Sequence, residues 1–408
     1  MQFTARLSAP QRETKVVGLI CTGHFMSHFY LLLIPPLFPI LRDAYGVGFT
    51  ELGLATAGFS MASGLSQIPI GFLVDRYGAR NLLIAALMLE SAAFMLIGLF
   101  PLYGALVALM VTAGMANAVY HPADYAILIA AADRGRIGRV FSFHTFTGYF
   151  GDAVAPATVL FLASLLDWRA ALFICGLCGA AVAVLMAMNS GILAEPSHAK
   201  HAPAADARPG GTKLRAGVAV LFSLPVLMGL LFFTTMTISG NGIKAFGVSV
   251  MHELYQVPLG TAGAVITAYL FASSIGVLAS GFSADRIRRH DLVAAACVAV
   301  IALCIFAVAA FDPPPLGIGV LFAIAGFCIG YIAPQRDMLI RSIAPPGNVG
   351  KVFGFVSVGF DIGGVTSPVI YGWVLDHSNP RNVFWTSGVM AVVTILTVLA
   401  AGREGRRV

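Results

Sequence analysis

Histidine, carboxylate and basic side chains stand inside long apolar runs of this sequence, where such residues are rare. The first run carries His24 and His28, the third Glu90, the fourth His121 and Asp124, and the fifth His144 and Asp152. Later runs add Lys244, then Arg336 and Asp337, then Asp361. An ionisable group in hydrocarbon is costly, so each is expected to face a protein interior and to find a partner there. His24 and His28 are four apart and share one helix face, with Phe25, Phe29 and Tyr30 close by. That face suits a ligand wall with an imidazole that can change charge near neutral pH, or a histidine pair bonded to neighbouring helices.

Two prolines mark the other candidate sites. Pro122 has no N–H to give the carbonyl of Ala118, so that oxygen is free for water, ligand or side chain. His121 and Asp124 beside it are three apart and share a face. Pro334 frees the carbonyl of Gly330 in the same way, next to Arg336 and Asp337. Arg336 presents a planar fork suited to a carboxylate or phosphonate, or an internal partner for Asp124, Asp337 or Asp361. Lys244 ends the stretch Asn241-Gly242-Ile243-Lys244, where Gly240 and Gly242 flank Asn241 and local unwinding is expected. Lys244 reads as a substrate cation, a partner of Asp361 or Asp337, or a residue snorkelling to the outer boundary. The substrate-binding set is therefore His24, His28, Tyr30, His121, Asn241, Lys244 and Arg336. The proton-carrying set is His121, Asp124, Glu90, Asp152, Asp337 and Asp361, or else these groups are held in fixed hydrogen bonds.

The elements that must position these groups follow from composition. Of the 408 residues, 58% are hydrophobic and 11% charged. The mean hydropathy is +0.86. A soluble chain carries about 25% charged residues, so lipid is the solvent for most of this surface. The runs are long and unalternating, which selects spanning helices over strands. Spans are expected at about 16–41, 50–74, 82–100, 103–131, 138–166 and 168–190, then 216–250, 259–284, 292–311, 315–342, 350–375 and 381–402. This divides the chain into a first bundle, 1–190, a polar Pro/Gly-containing linker, 191–215, and a second bundle, 216–408. Pro35-Pro36 and Pro39 are expected to end or distort the first span. Cys175 and Cys178 form a C-x-x-C inside a helix with no second pair nearby, so the cysteines read as buried small side chains.

The halves echo each other at a fixed offset. Gly138-Arg139-Val140-Phe141 matches Gly350-Lys351-Val352-Phe353, Pro122 matches Pro334, and Pro156 matches Pro368. Gly71-Phe72-Leu73-Val74-Asp75-Arg76-Tyr77-Gly78-Ala79-Arg80 recurs as Gly281-Phe282-Ser283-Ala284-Asp285-Arg286-Ile287-Arg288-Arg289. Both copies resemble the G-x-x-x-D-R-x-G-R/K loop signature of the major facilitator superfamily, the second without its later Gly. The His-Pro of the fourth span, with the His of the first, resembles more loosely the fosmidomycin-resistance-like branch. The R-x-x-Q-G signature of drug/proton antiporters is missing.

This resemblance implies an all-α polytopic fold of twelve transmembrane helices in two six-helix pseudo-repeats, with spans 1, 4, 7 and 10 around a central cavity. It implies a secondary active transporter working by alternating access, with Gly71, Asp75, Arg76, Gly78, Arg80, Gly281, Asp285 and Arg286 in the gates. Asp75 is then expected at the helix start after Pro345-Pro346, and Asp285 at the one near Gly138. The solute is expected to be small, polar and anionic, moved with protons; export of drugs or antibiotics is the alternative, and a non-transporting receptor a third. No Walker loop and no metal or nucleophile constellation is evident, so no enzyme, no ATP drive, no cofactor and no metal are expected. Partners are the solute, protons and the bilayer, with a monomer expected and no nucleic acid, because the basic residues sit in short loops.

The same basic residues orient the chain. With the N-terminus inside, 20 of the 25 Lys and Arg fall in inside segments. A multi-pass protein of a bacterial inner membrane, with both termini cytoplasmic, is expected. A cysteine placed within 197–212 should accordingly react with an impermeant thiol reagent only from the cytoplasmic side, and one placed at Ser378 only from outside. The reverse labelling would overturn the orientation.

Overall fold

The computed structural model describes residues 9–133, 135–193, 220–283, 286–345 and 348–405. Twelve helices there are long and apolar enough to cross a membrane. Spans 1 to 6 are Pro10–Tyr45, Phe49–Val74, Ala79–Leu99, Tyr103–Ala131, Ile137–Leu165 and Trp168–Met188. Spans 7 to 12 are Leu224–Lys244, Leu259–Ser283, His290–Phe311, Pro315–Ile343, Val349–His377 and Arg381–Arg403. Hydrocarbon offers backbone N–H and C=O groups no partner, so these apolar runs close their hydrogen bonds within helices. Most of the expected linker, residues 194–215, lies outside the described residues.

Local chemistry sets the interruptions. Span 1 is helical to Leu31, passes through a 3-10 turn at Pro35–Leu37, and resumes at Phe38–Tyr45. Span 4 is two helices, Tyr103–Asn117 and Tyr120–Ala131, broken just where Pro122 withholds a hydrogen bond from Ala118. Gly78 links spans 2 and 3 at φ 87°, a conformation that favours glycine, as its place in the loop signature suggested. One expectation fails. The helix of span 7 is not unwound at Asn241, whose carbonyl accepts from the Ala245 N–H at 3.0 Å. The break comes after Lys244, and a separate helix, Gly247–Tyr255, follows. Of the glycines flanking Asn241, Gly242 serves packing, since a side chain there would strike Ser387 of span 12, while Gly240 has open space.

Glycines bring the spans together within each half. A Cβ on Gly326 or Gly330 of span 10 would collide with the carbonyls of Tyr269 and Ser273 in span 8. Gly176 of span 6 lies against the Ser91 carbonyl of span 3, and Gly151 of span 5 against the Phe25 carbonyl of span 1. Small residues allow this approach because no hydrophobic force drives helices together in lipid; dispersion does it at short range.

The halves meet along spans 2 and 11 and along spans 5 and 8, and they diverge toward one end. At one end Gly53 touches the Pro368 carbonyl, Gly372 the Phe49 carbonyl, and Gly263 the Leu160 side chain. At mid-depth Gly64 faces Asp361 and Gly364 faces Ser60. Toward the end bearing the Asp-Arg loops, Gly71, Gly138, Gly281, Gly350 and Gly354 have open space where a Cβ would stand. Phe72 and Phe282 are exposed there. The crevice between the halves therefore opens at the Asp-Arg loop end. The other end is shut by polar contacts as well. Asp376, at the end of span 11, accepts from the Phe49 and Thr50 N–H groups of span 2 at 2.8 and 2.7 Å. These are orphan donors of a helix N-terminus, which an anion satisfies. Arg42 pairs with Glu253 at 3.3 Å beside them.

Gly330→Val should lower the melting temperature of the detergent-solubilised protein by several degrees, since overpacking costs about 1–3 kcal/mol. Gly281→Ala, in open space, should leave it unchanged. Equal melting temperatures would remove the glycine contact from the account of packing.

Candidate functional site

The first half contributes a lattice of imidazoles around a carboxylate. Span 5 places His144, Gly148 and Asp152 four residues apart, so they form one stripe facing span 1. Gly148 leaves room for the His24 and His28 rings, which a Cβ there would strike. The rings of His24 and His144 stack, with centroids 3.7 Å apart and planes 20° apart. Both aim nitrogens at one oxygen of Asp124 from span 4. His144 Nε2 lies 3.0 Å and His24 Nδ1 3.3 Å from Asp124 Oδ2. Asp124 is fully buried. His121 stands one turn earlier, its ring 5.5 Å from that of His24 and 6.5 Å from that of His28. It lies deep in the bundle and yet is exposed, as a side chain on the wall of the open crevice must be.

The second half contributes cations. Lys244 Nζ reaches across to Asp152 Oδ2 of span 5 at 2.9 Å. His28 Nδ1 lies 3.4 Å from the same oxygen. This corrects the partners expected from sequence for Lys244: Asp337 binds Arg336, and Asp361 lies at the seam of spans 2 and 11. Arg336 binds the neighbouring Asp337 at 2.9 Å, and its guanidinium lies over the Phe233 and Phe360 rings, 5.0 and 4.8 Å from their centroids. Of the three internal partners considered for Arg336, Asp337 is the one found. Asp361 faces Gly64 at the seam of spans 2 and 11.

Three expected site residues turn away from the crevice. Tyr30 is 1% exposed, stacks on Phe94 and bonds Ser91 Oγ at 2.9 Å. Its hydroxyl also donates toward the carbonyls of Cys175 and Gly176, so it ties span 1 to spans 3 and 6. Glu90 is buried behind the break of span 4, accepting from Asn117 Nδ2 at 3.3 Å. Asn241 bonds Ser367 Oγ at 2.7 Å between spans 7 and 11. Of the gating set, Arg76 is exposed with its guanidinium over Tyr77, Arg80 holds the Ser190 carbonyl at 3.2 Å, and Arg286 is exposed. Gly71 and Gly281, both expected in the gates, carry no helix contact in this open arrangement. The side chain of Asp75, together with Asp285 and Pro346, lies outside the described residues.

Twelve spans in two six-helix sets, a crevice between them and two Asp-Arg loops match one family. The model of the Major Facilitator Superfamily matches residues 20–252 and 232–407. The chain belongs to the major facilitator superfamily. Its relatives include the fosmidomycin resistance protein of Escherichia coli, 22% identical over 94% of this chain and 92% of that one. A protein described as a probable sulfoacetate transporter of Cupriavidus necator is 23% identical, again over 94% and 92%. Among solved structures, a bacterial homologue of the human lysosomal transporter Spinster, in an inward-facing and unoccupied conformation, superposes with a TM-score of 0.76. It is 13% identical and covers 97% of this chain and 98% of that one. This facilitator is thus a multi-pass membrane transporter.

Sequence reasoning left unassigned two elements of the site in this facilitator. His144 completes the Asp124 cluster, and the i, i+4, i+8 spacing of His144, Gly148 and Asp152 was a usable signal for it. Asp376 gives no such signal, because its partner is the backbone of a helix 326 positions earlier. The Lys244–Asp152 pair yields a stability prediction. Lys244→Met should strand Asp152 and lower stability by roughly 1–3 kcal/mol, below the 3–5 kcal/mol of a fully buried pair because Lys244 is 29% exposed. Adding Asp152→Asn should recover most of the loss in a double-mutant cycle. Additive losses would mean the pair contributes no coupling.

Proposed function

We propose that this facilitator moves a small organic anion by alternating access, coupled to protons. The observation that carries the reading is the Lys244–Asp152 ion pair, which bridges the halves beside His28. A cation held by an internal carboxylate is a site that an anionic solute can take over. The solute displaces Asp152 from Lys244, and Arg336 offers it a second, planar anchor on the same half. Released Asp152, next to His28, is placed to accept a proton, so that solute and proton exchange on one pair of groups. His121 and the Asp124–His144 pair extend that proton-accepting surface along the crevice wall. The relative whose name specifies sulfoacetate, an organic anion, supports this class.

In this reading the two bundles, 1–190 and 216–408, rock about the seams of spans 2 with 11 and 5 with 8, joined by the 191–215 linker. The basic bias supports an orientation with the Asp-Arg loop end in the cytoplasm; in the same reading the membrane is a bacterial inner membrane and the chain a monomer. The crevice described above is then inward-open, and the Asp376 and Arg42–Glu253 contacts are its outer closure.

Efflux of drugs is the second reading, favoured by the name of the Escherichia coli relative and by the Phe146, Phe150 and Phe271 rings stacked along the seam of spans 5 and 8. A thermal-shift screen separates the two, since a ligand that binds the folded state raises its melting temperature. Carboxylates, sulfonates or phosphonates should stabilise the protein, and Lys244→Ala and Arg336→Ala should each abolish that shift. Stabilisation by lipophilic cations alone would replace the anion reading with efflux. Normal anion binding by Arg336→Ala would reduce Arg336 to an internal partner of Asp337.

A further inference from the structure

The His24–Asp124–His144 cluster offers more than a hydrogen-bonded relay. Three spans supply one donor atom each, all lying within 4.8 Å of one another. His144 Nε2 and His24 Nδ1 lie 3.0 and 3.3 Å from Asp124 Oδ2. Two donors on a tetrahedral zinc-class ion stand about 3.3 Å apart, given metal–ligand bonds near 2.0–2.1 Å. A small rotation of the stacked rings closes the third edge of the triangle. Hydrogen bonding leaves the cluster incomplete. His24 Nδ1 and Asp124 Oδ1 are buried and make no hydrogen bond, although both belong to nearly inaccessible side chains. Among the described residues no Lys or Arg pairs with Asp124; Asp361 is alike in this, whereas Asp152, Asp291, Asp312 and Asp337 each have such a partner. A buried carboxylate between two imidazoles with no cation beside it is a donor set that lacks its ion.

We propose that His24, Asp124 and His144 bind one divalent transition-metal ion of the zinc class. Two imidazoles and one carboxylate select such an ion over magnesium or calcium, which take oxygen ligands. Three protein ligands leave one coordination position, and the exposed His121, its ring 5.5 Å from that of His24, is the neighbouring side chain nearest the crevice. Gly148 belongs to the site as the space that admits the His24 ring. This inference stands whatever the charge of the transported solute.

The test uses full-length protein freed of its affinity tag and stripped with a chelator. Co2+ is titrated as the probe, since its visible absorption reports tetrahedral nitrogen and oxygen ligation, and Zn2+ is then titrated in competition. The expected result is one ion per chain, with binding weakened at least tenfold in both Asp124→Asn and His144→Gln, and unchanged in His377→Gln at the protein surface. The melting temperature of each metal-free variant shows whether it is folded. If one of the two fails to fold, the other and His24→Asn carry the comparison. Absence of saturable binding, or binding that survives all the cluster substitutions, would overturn the proposal and leave the cluster as a proton relay.

Discussion

Every charged group inside a membrane bundle needs a partner, and the architecture follows from how this chain supplies them. The first half holds the imidazoles and the carboxylates Asp124 and Asp152. The second holds the cations Lys244 and Arg336. Only Lys244 crosses to the other half among these groups, and its bond to Asp152 ties the two halves together at the level of the crevice. Moving the halves apart at that level would leave both charges in a low-dielectric interior. A step of that kind requires a substitute for each, the role that the proposed function gives to a solute and a proton.

The two ends of the crevice are built from different forces. The closed end combines carbonyl-to-glycine contacts with a carboxylate seated on a helix N-terminus. Dispersion and the helix dipole both fall off steeply with distance, so such an end is either shut or open. The other end shows the same glycine-rich helices with space around them. Gly71 and Gly281 hold no contact in this arrangement, and in the proposed alternating-access reading their small size would serve the alternate one. A residue chosen for a contact absent from one state is the expected mark of a protein that must pack in two ways.

Around His24 the polar groups are too closely packed to act singly. Its ring meets His144 face to face and His28 and His121 edge-on. Four imidazoles and two carboxylates thus form one continuous chain of contacts. The same density that suits proton exchange also suits a metal ion. The lattice therefore links Asp152, the carboxylate that the proposed solute would displace from Lys244, to the Asp124 cluster through His28 and His24.

The sequence by itself determined the solvent, the element type and the duplication. Hydrophobic runs of bilayer length have one solution in lipid, and paired loop signatures in two halves name the superfamily. It also singled out His24, His28, His121, Asp124, Asp152, Lys244 and Arg336, because charge in hydrocarbon is conspicuous. It could not say which charges meet. Lys244 had two candidate carboxylates, Asp337 and Asp361, and the one it bonds, Asp152, is neither of them and lies on the opposite half. Tyr30 shares a helix with the crevice histidines but points outward, since its angular position on the helix is fixed by contact with Ser91 and Phe94. The metal ligands come from spans 1, 4 and 5, and Asp376 caps a backbone rather than a side chain. Contacts of that sort depend on the rotation and tilt of each helix against its neighbours, which glycine packing sets in three dimensions and no linear spacing records.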